Sequence, residues 1–215
     1  MKAKYFNEKQ SINMKDIEEV ARGLANGKTA VFPTETVYGI GTNAMNAEAC
    51  ERVFEVKGRP ANKPLIVLIS NINMLDGIVD ELNEIEEKLM QKFWPGALTI
   101  ILKKNKKCNI PNVVTAGRDN IGVRMTSGRI AGLLIDKAGV PIVAPSANIS
   151  GNPTGIKIEN IIEELGDRVD YILDYGDVEK SIESTIVKVE NNKILILRQG
   201  KISKEELSKI SEIQE

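Results

Sequence analysis

The chain contains no histidine and only two cysteines, and both scarcities restrict its chemistry. Without histidine there is no Ser-His-Asp or Cys-His nucleophile and no imidazole metal ligand. Cys50 and Cys108 do not form a Cys-x-x-Cys pair and cannot build a thiolate metal site alone. A reduced, cytoplasmic protein is therefore expected.

Long apolar runs are also missing. None approaches the ~20 residues of a membrane-spanning helix, and the N-terminal MKAKYFNEKQ lacks the apolar stretch of a signal peptide. We therefore expect no membrane association. Aromatic residues make up only 4%, so the core must depend on Ile, Leu and Val. A net charge of -1 argues against a strong non-specific nucleic-acid binder, although a local basic patch remains compatible with it.

The 215 residues alternate between helical and extended patterns, which is typical of an α/β domain. The spacing of apolar residues predicts helices over residues 14–26, 47–57, 73–79, 83–92, 128–138, 158–165 and 203–212. Strands are predicted over residues 29–32, 65–69, 97–103, 121–125, 141–144, 171–174, 184–189 and 193–197. The last two read as a hairpin, and Ser203 with Glu206 matches a capping box. We expect one domain with a twisted, mixed sheet flanked by helices.

The first polar segment, FPTETVYGIG over residues 32–41, follows a predicted buried strand. Side chains at the carboxyl end of a strand are where α/β folds place ligands, and the glycines permit close backbone approach. A glycine-rich turn with two surface threonines explains the pattern equally well, so this segment alone leaves both interpretations open.

The second segment, KGRPANKP over residues 57–64, places three cations at the end of a predicted helix. Lysine and arginine bind phosphate or carbonate oxygens, arginine often through two parallel hydrogen bonds. Cations also complement helix C-termini in general. Taken alone, this segment slightly favours the structural role.

The third segment, APSANISGNPTG over residues 144–155, carries small hydroxyl and amide side chains after a predicted strand. These groups suit hydrogen bonding to a phosphate, a ribose or a carboxylate. A simple turn would explain the composition, but an irregular segment of ~12 residues favours a functional loop. Separately, Arg124 interrupts the apolar strand IGVRM, where it needs a partner or access to water.

Together these segments resemble the YrdC-like family. The matching stretches occur in the family's order from about Thr29 to Gly200: FPTETVYGIG, KGRPANKPLIVLIS, FWPGALTIIL, IGVRM, APSANISGNPTG, ESTIVKV and ILRQG. The resemblance implies a single domain over residues 1–215, with an open central cavity. It also implies a nucleotidyltransferase that makes threonylcarbamoyl-adenylate and pyrophosphate from L-threonine, bicarbonate and ATP, for threonylcarbamoyladenosine (t6A) modification of tRNA.

The family's K-x-R…S-x-N signature falls on Lys57, Arg59, Ser146 and Asn148. By resemblance, Lys57 and Arg59 are catalytic and hold bicarbonate or the carbamate beside the phosphates, while Ser146 and Asn148 contact the nucleotide. The implied L-threonine site consists of Thr34, Arg124, Ala144 and Ser184. Further ATP or bicarbonate contacts are implied for Lys63, Thr115, Asn120, Thr154 and Arg198. The chain departs from the pattern at Leu68, where many members carry a histidine.

The resemblance implies Mg²⁺ bridging the ATP phosphates, held largely by ATP and water because, apart from Glu35, the matched motifs carry few carboxylates. It also implies tRNA-modifying transferase proteins as partners, and tRNA or double-stranded RNA as a further one. Two alternatives remain. One is a non-catalytic RNA-binding module in tRNA or ribosome maturation. The other is carbamoyl transfer in hydrogenase maturation, against which the lack of flanking domains counts.

Overall fold

A ten-stranded mixed sheet forms the centre of the computed structural model, which describes residues 3–7, 12–152, 157–176 and 182–214. The strands are β1 Lys4–Asn7, β2 Ala30–Pro33, β3 Tyr38–Asn43, β4 Ile66–Ile69, β5 Leu98–Lys103, β6 Asn120–Met125, β7 Ile142–Val143, β8 Tyr171–Asp174, β9 Thr185–Glu190 and β10 Lys193–Arg198. The helices are α1 Met14–Ala25, α2 Ala47–Lys57, α3 Glu84–Phe93, α4 Asn112–Thr115, α5 Arg129–Ala138, α6 Ile158–Leu165 and α7 Lys204–Ser208. A short 3₁₀ helix covers Ile72–Leu75.

The strand order is β1-β8-β2-β3-β7-β4-β6-β5-β9-β10. Four neighbouring pairs are parallel, namely β1–β8, β8–β2, β4–β6 and β5–β9. The remaining pairs are antiparallel, including the β9–β10 hairpin. The expected α/β fold with a mixed sheet is confirmed.

Helices cover the two faces of the sheet unequally. One face packs against α2, α3 and α6, and its side chains include Val67, Ile100, Val123 and Val187. The opposite face packs against α1 and α5. These two helices cover β8, β2, β7 and part of β4, so the strands beyond β4 have no helix above them among the described residues.

Strand alternation determines what this uncovered face displays. On β6, Val123 is buried against α3, so Gly122 and Arg124 face the other way. The same alternation puts Ile101 of β5 and Ile186 of β9 on the open side. The uncovered face is therefore a shallow concave surface that carries one buried arginine.

Two segments differ from the sequence-based expectation at the centre of the fold. The polar segment over residues 32–41 was expected to be a loop, but its second half belongs to β3, Tyr38–Asn43, which lies between β2 and β7. Its first five residues are all buried, so it shows no polar alternation from which a strand could be inferred. The helix expected over residues 73–79 is only the turn Ile72–Leu75, and Val79 then forms an isolated antiparallel bridge with Lys104, just after β5.

The C-terminal helix is also shorter than expected. The Ser203–Glu206 capping box is present, but α7 ends at Ser208 rather than near residue 212. The chain then returns to the sheet edge, where the Gln214 amide donates to the Ile194 carbonyl at 2.8 Å. These main-chain bonds to β10 replace continued helical ones. No helix of the described residues is long and apolar enough to cross a membrane.

Candidate active site

A cavity of about 290 Å³ lies on the uncovered face of the sheet. Its floor is apolar and comes from successive strands: Ile66, Ile101, Gly122, Ile186 and Leu197. At Gly122 a Cβ would lie 3.2 Å from Ile101 Cδ1, so the glycine keeps the floor open. The walls add Thr36, Val37, Pro64, Leu65, Ala144, Pro145, Ser146, Glu183 and Ser184, together with four arginines, Arg59, Arg118, Arg124 and Arg198. The open cavity expected from the resemblance is present.

Arg124 is the most buried of these cations, with 5% of the residue exposed. The Glu35 carboxylate accepts hydrogen bonds from Arg124 Nη1, from Thr126 Oγ1 at 2.5 Å and from the Gly128 amide at 3.2 Å. Burial lowers the pKa of Arg124, and the charge of Glu35 opposes that shift. Arg124 Nε is buried without a partner in the described structure. The guanidinium is therefore anchored by Glu35 while the residue lines the cavity.

Leu68 lies directly opposite Arg124 in the β4–β6 register. It is fully buried in the cluster that α1 and α5 form on that face. The departure from the family pattern therefore lies beside Arg124, as part of the apolar core rather than of the cavity wall.

Lys57 ends α2 because Gly58 adopts a left-handed conformation with φ 57°. The Lys57 side chain points inward and is only 2% exposed. Its Nζ donates to the Ser146 and Asn148 carbonyls, each at 2.5 Å. Burial, followed by the charge of Arg59, lowers its pKa to about 8. Lys57 thus clamps the loop that follows β7 and does not line the cavity.

The side chain of Asn148 forms hydrogen bonds within the same loop. Its Oδ1 accepts from Ser146 Oγ at 2.6 Å, and its Nδ2 donates to the Ile149 and Asn152 carbonyls. Glu164 of α6 holds the loop from outside, accepting from the Ile149 amide at 3.0 Å and from Asn152 Nδ2 at 2.8 Å. This network presents Ser146 at the cavity wall.

Arg59 follows the end of α2 and donates to the Lys63 carbonyl at 3.2 Å and to the Pro64 carbonyl at 2.8 Å. Burial, followed by the charge of Arg198, lowers its pKa. The charge of Glu183 opposes this shift of the pKa. Arg59 is thus fixed by main-chain oxygens and retains a charge that an anionic ligand can meet.

Arg198, at the end of β10, is fixed by the two residues that directly precede β9. It donates to the Ser184 carbonyl at 2.9 Å and to Ser184 Oγ at 3.1 Å, and pairs with Glu183 at 2.7 Å. Ser184 Oγ also contacts Thr99 Oγ1 at 2.9 Å. The hydroxyl of Ser184 thus contacts both β5 and the cationic wall of the cavity.

The cavity brings together six of the residues singled out in the sequence: Arg59, Arg124, Ala144, Ser146, Ser184 and Arg198. Lys57 and Asn148 lie behind its wall, as shown above. Four further residues are off the wall: Thr34, Lys63, Thr115 and Asn120. Thr154 lies outside the described residues.

Thr34 directs its hydroxyl to the Val37 carbonyl at 2.7 Å and so shapes the turn, while Thr36 lines the cavity. Thr115 is buried at the end of α4, with its hydroxyl 3.4 Å from the Asn112 carbonyl. Lys63 is exposed, and Asn120 opens β6 opposite Lys103.

Thr36, Arg118 and Glu183 line the cavity but were not predicted as site residues from the sequence. Thr36 lies in the same motif as Thr34. The motif was recognised in the sequence, but Thr34 rather than Thr36 was chosen from it. Glu183 directly precedes Ser184 in the matched stretch ESTIVKV, so it could have been predicted as the neighbour of a predicted site residue. Arg118 belongs to none of the recognised patterns.

Comparison with known proteins places these features in a family. The family model described as "Telomere recombination", for Sua5, YciO and YrdC proteins, matches residues 22–200. The threonylcarbamoyl-AMP synthase of Pyrococcus abyssi is 39% identical over 205 residues, covering 95% of this chain and 60% of the relative. The putative threonylcarbamoyl-AMP synthase of Methanocaldococcus jannaschii is 36% identical over 195 residues, covering 91% and 90%.

The crystal structure of Pyrococcus abyssi Sua5 complexed with L-threonine superposes with a TM-score of 0.92 at 37% identity, covering 99% of this chain and 63% of that one. The chain thus spans about three fifths of the length of the Pyrococcus relative. The family model nevertheless covers the chain from α1 to the end of β10, including every described residue of the cavity. The chain belongs to the Sua5/YciO/YrdC family.

Proposed function

We propose that this chain is a nucleotidyltransferase that forms threonylcarbamoyl-AMP and pyrophosphate from L-threonine, bicarbonate and ATP, for t6A modification of tRNA. The observation that carries the proposal is the cavity, in which an apolar floor lies beneath four arginines. Such a site suits a ligand with a flat apolar ring and an anionic tail, as in a nucleotide. The names of the relatives, and the L-threonine in the Pyrococcus structure, support threonine as the second substrate.

The chemistry suits a site without histidine. The threonine amine attacks the carbon of bicarbonate, water leaves, and a carbamate forms. A carbamate oxygen then attacks the α-phosphorus of ATP, and the bond to the pyrophosphate breaks. The protein must hold several anionic groups together and neutralise their charge, which positioned cations do without a protein nucleophile.

The residues divide between two ends of the cavity. We assign the threonine carboxylate to Arg124, the buried arginine that lines the cavity, with Ala144 and Ser184 as neighbours. We assign the phosphates to Arg59 and Arg198, with Ser146 beside them on the cavity wall. Lys57 acts in this scheme by holding the loop that carries Ser146, since its ammonium group is bonded to that loop's carbonyls.

The metal is expected to arrive with the nucleotide. Among the described residues, Glu183 is the one carboxylate on the cavity wall, and it is paired with Arg198. Within the ranges that the structure describes, no group of three or more Cys, Asp or Glu side chains could hold a metal ion. Mg²⁺ would therefore be bound by the ATP phosphates and water. We propose that transferase partners in the cytoplasm take up the adenylate product and deliver it to tRNA.

The test is an assay of the purified chain with MgATP, bicarbonate and one amino acid at a time, following both pyrophosphate and the adenylate product. We expect turnover that depends on threonine and is lost in Arg59→Met. Arg22→Met is the matched control, because this exposed arginine on α1 is not part of the cavity wall. Absence of threonine-dependent pyrophosphate from a folded protein would refute the proposal. Salt-sensitive RNA binding without turnover would favour the RNA-binding alternative.

A second arm separates the two ends of the cavity. Arg124→Lys should raise the KM for threonine more than the KM for ATP, because lysine keeps the charge but not the guanidinium geometry. A larger effect on the KM for ATP would show that Arg124 belongs to the nucleotide end.

A further inference from the structure

The four arginines of the cavity differ in the ion pairs and hydrogen bonds that they form within the protein. Arg124 is paired with Glu35, and Arg198 is paired with Glu183. Arg59 is bonded to two main-chain carbonyls and has no ion pair in the described parts of the chain. Among the described residues, the side chain of Arg118 has one hydrogen bond, from Nη2 to the Asn62 carbonyl at 3.5 Å.

The position of Arg118 is set by its backbone. At the end of α4, Ala116 and Gly117 both adopt left-handed conformations, with φ of 51° and 73°. The Arg118 amide then donates to the Thr115 carbonyl at 3.1 Å, which fixes the turn. The side chain is thereby placed against the loop that carries Arg59, and both side chains line the same cavity.

This arrangement leaves a defined charge surplus. Two of the four arginines are balanced by carboxylates, so two positive charges, Arg59 and Arg118, remain for a ligand. The Mg²⁺ complex of a nucleoside triphosphate keeps a negative charge on its terminal phosphates. When the exposed Arg118 guanidinium turns toward such a phosphate, it gives up one long hydrogen bond. In exchange it forms charge-assisted hydrogen bonds with the phosphate oxygens.

We propose that Arg118 is a further substrate-binding residue, whose guanidinium binds the terminal phosphates of the nucleotide opposite Arg59 and contacts the pyrophosphate released. This assignment rests on the proposed function, because it deepens the account of the same cavity. It predicts that a residue outside the recognised motifs contributes to the KM for ATP and to product affinity.

The first measurement is direct binding of magnesium pyrophosphate by isothermal titration calorimetry, which needs no turnover. Because Arg118 is exposed and screened by solvent, we expect Arg118→Met to weaken binding by about tenfold. Arg118→Lys should recover part of the lost affinity, since lysine supplies the charge but not the paired N–H donors of a guanidinium. In the adenylation assay, the KM for ATP should rise similarly while the KM for threonine stays within twofold.

Lys104→Met is the matched control. Lys104 Nζ contacts Asn112 Oδ1 of α4 at 3.2 Å, so this variant removes a positive charge from the same region without touching the cavity wall. Its pyrophosphate affinity should stay within twofold of the unchanged protein. Equal losses in the two variants would mean that only long-range charge is involved, and would overturn the assignment.

The two proposals can fail separately. If threonine-dependent turnover is absent but Arg118→Met still weakens pyrophosphate binding, Arg118 keeps its role and the reaction is wrong. If turnover is present and Arg118→Met binds pyrophosphate like the unchanged protein, the Arg118 assignment alone is refuted. An unchanged protein that does not bind magnesium pyrophosphate would also refute it.

Discussion

The ion pair between Arg124 and Glu35 makes a quantitative prediction about stability. The two side chains are 6% and 12% exposed, so Glu35→Gln leaves a cation buried without its counter-charge. Removing one partner of a buried pair costs about 3–5 kcal/mol. Glutamine can still accept hydrogen bonds from Thr126 and Gly128, so we expect the lower end, about 3 kcal/mol. For a chain of this size, that lowers Tm by roughly 6–12 °C.

The assay is urea unfolding of Glu35→Gln, Arg124→Met and the double variant, followed by circular dichroism. Because methionine removes the orphaned charge, the double variant should be more stable than Glu35→Gln alone. Glu19→Gln, which breaks the exposed pair with Lys4, is the control and should cost less than about 1 kcal/mol. A loss below about 1 kcal/mol in Glu35→Gln, or no recovery in the double variant, would refute the reasoning.

Three further predictions concern Lys57, Glu164 and the cysteines. Lys57 loses its proton near pH 8 in the folded chain but near 10.5 when unfolded, so the free energy of unfolding should rise across that interval. Lys57→Met should flatten this rise in urea titrations, and equal slopes would contradict it. Glu164→Gln loosens the loop after β7 and should raise the KM for ATP about fivefold, since one charged hydrogen bond is weakened, whereas the exposed Glu163→Gln should not. Burial raises the pKa of Cys50 to about 12, so a thiol reagent should modify the native chain first at Cys108, and Cys50→Ala should remove only the slow phase.

Much of the fold was predictable because periodic apolar patterns are local. The bounds of α2, α6 and β8 match the prediction to the residue. The order of the strands was not predictable, because it depends on contacts between distant parts of the chain. For example, β8 inserts between β1 and β2. In addition, β3 was missed because a strand buried on both faces, built from Tyr, Gly and Thr, shows no alternation.

The candidate site was predictable as a set of motifs but not as a set of contacts. The sequence places Lys57 and Arg59 two residues apart and gives no reason to separate their roles. In the structure, the left-handed Gly58 between them sends Lys57 into the loop carbonyls and Arg59 to the cavity. Likewise Thr34 and Thr36 share a motif, yet only Thr36 lines the cavity. The direction of a side chain depends on backbone geometry, which the spacing of residues in the sequence does not reveal.

Arg124 can line the cavity because helices α1 and α5 cover only part of its face of the sheet. Its neighbour Val123 is buried against α3, and Leu68 across the register is buried against α1 and α5. A buried arginine in such surroundings requires a compensating charge. Glu35 supplies that charge and also accepts hydrogen bonds from Thr126 and Gly128. The geometry of the proposed threonine pocket therefore depends on Glu35.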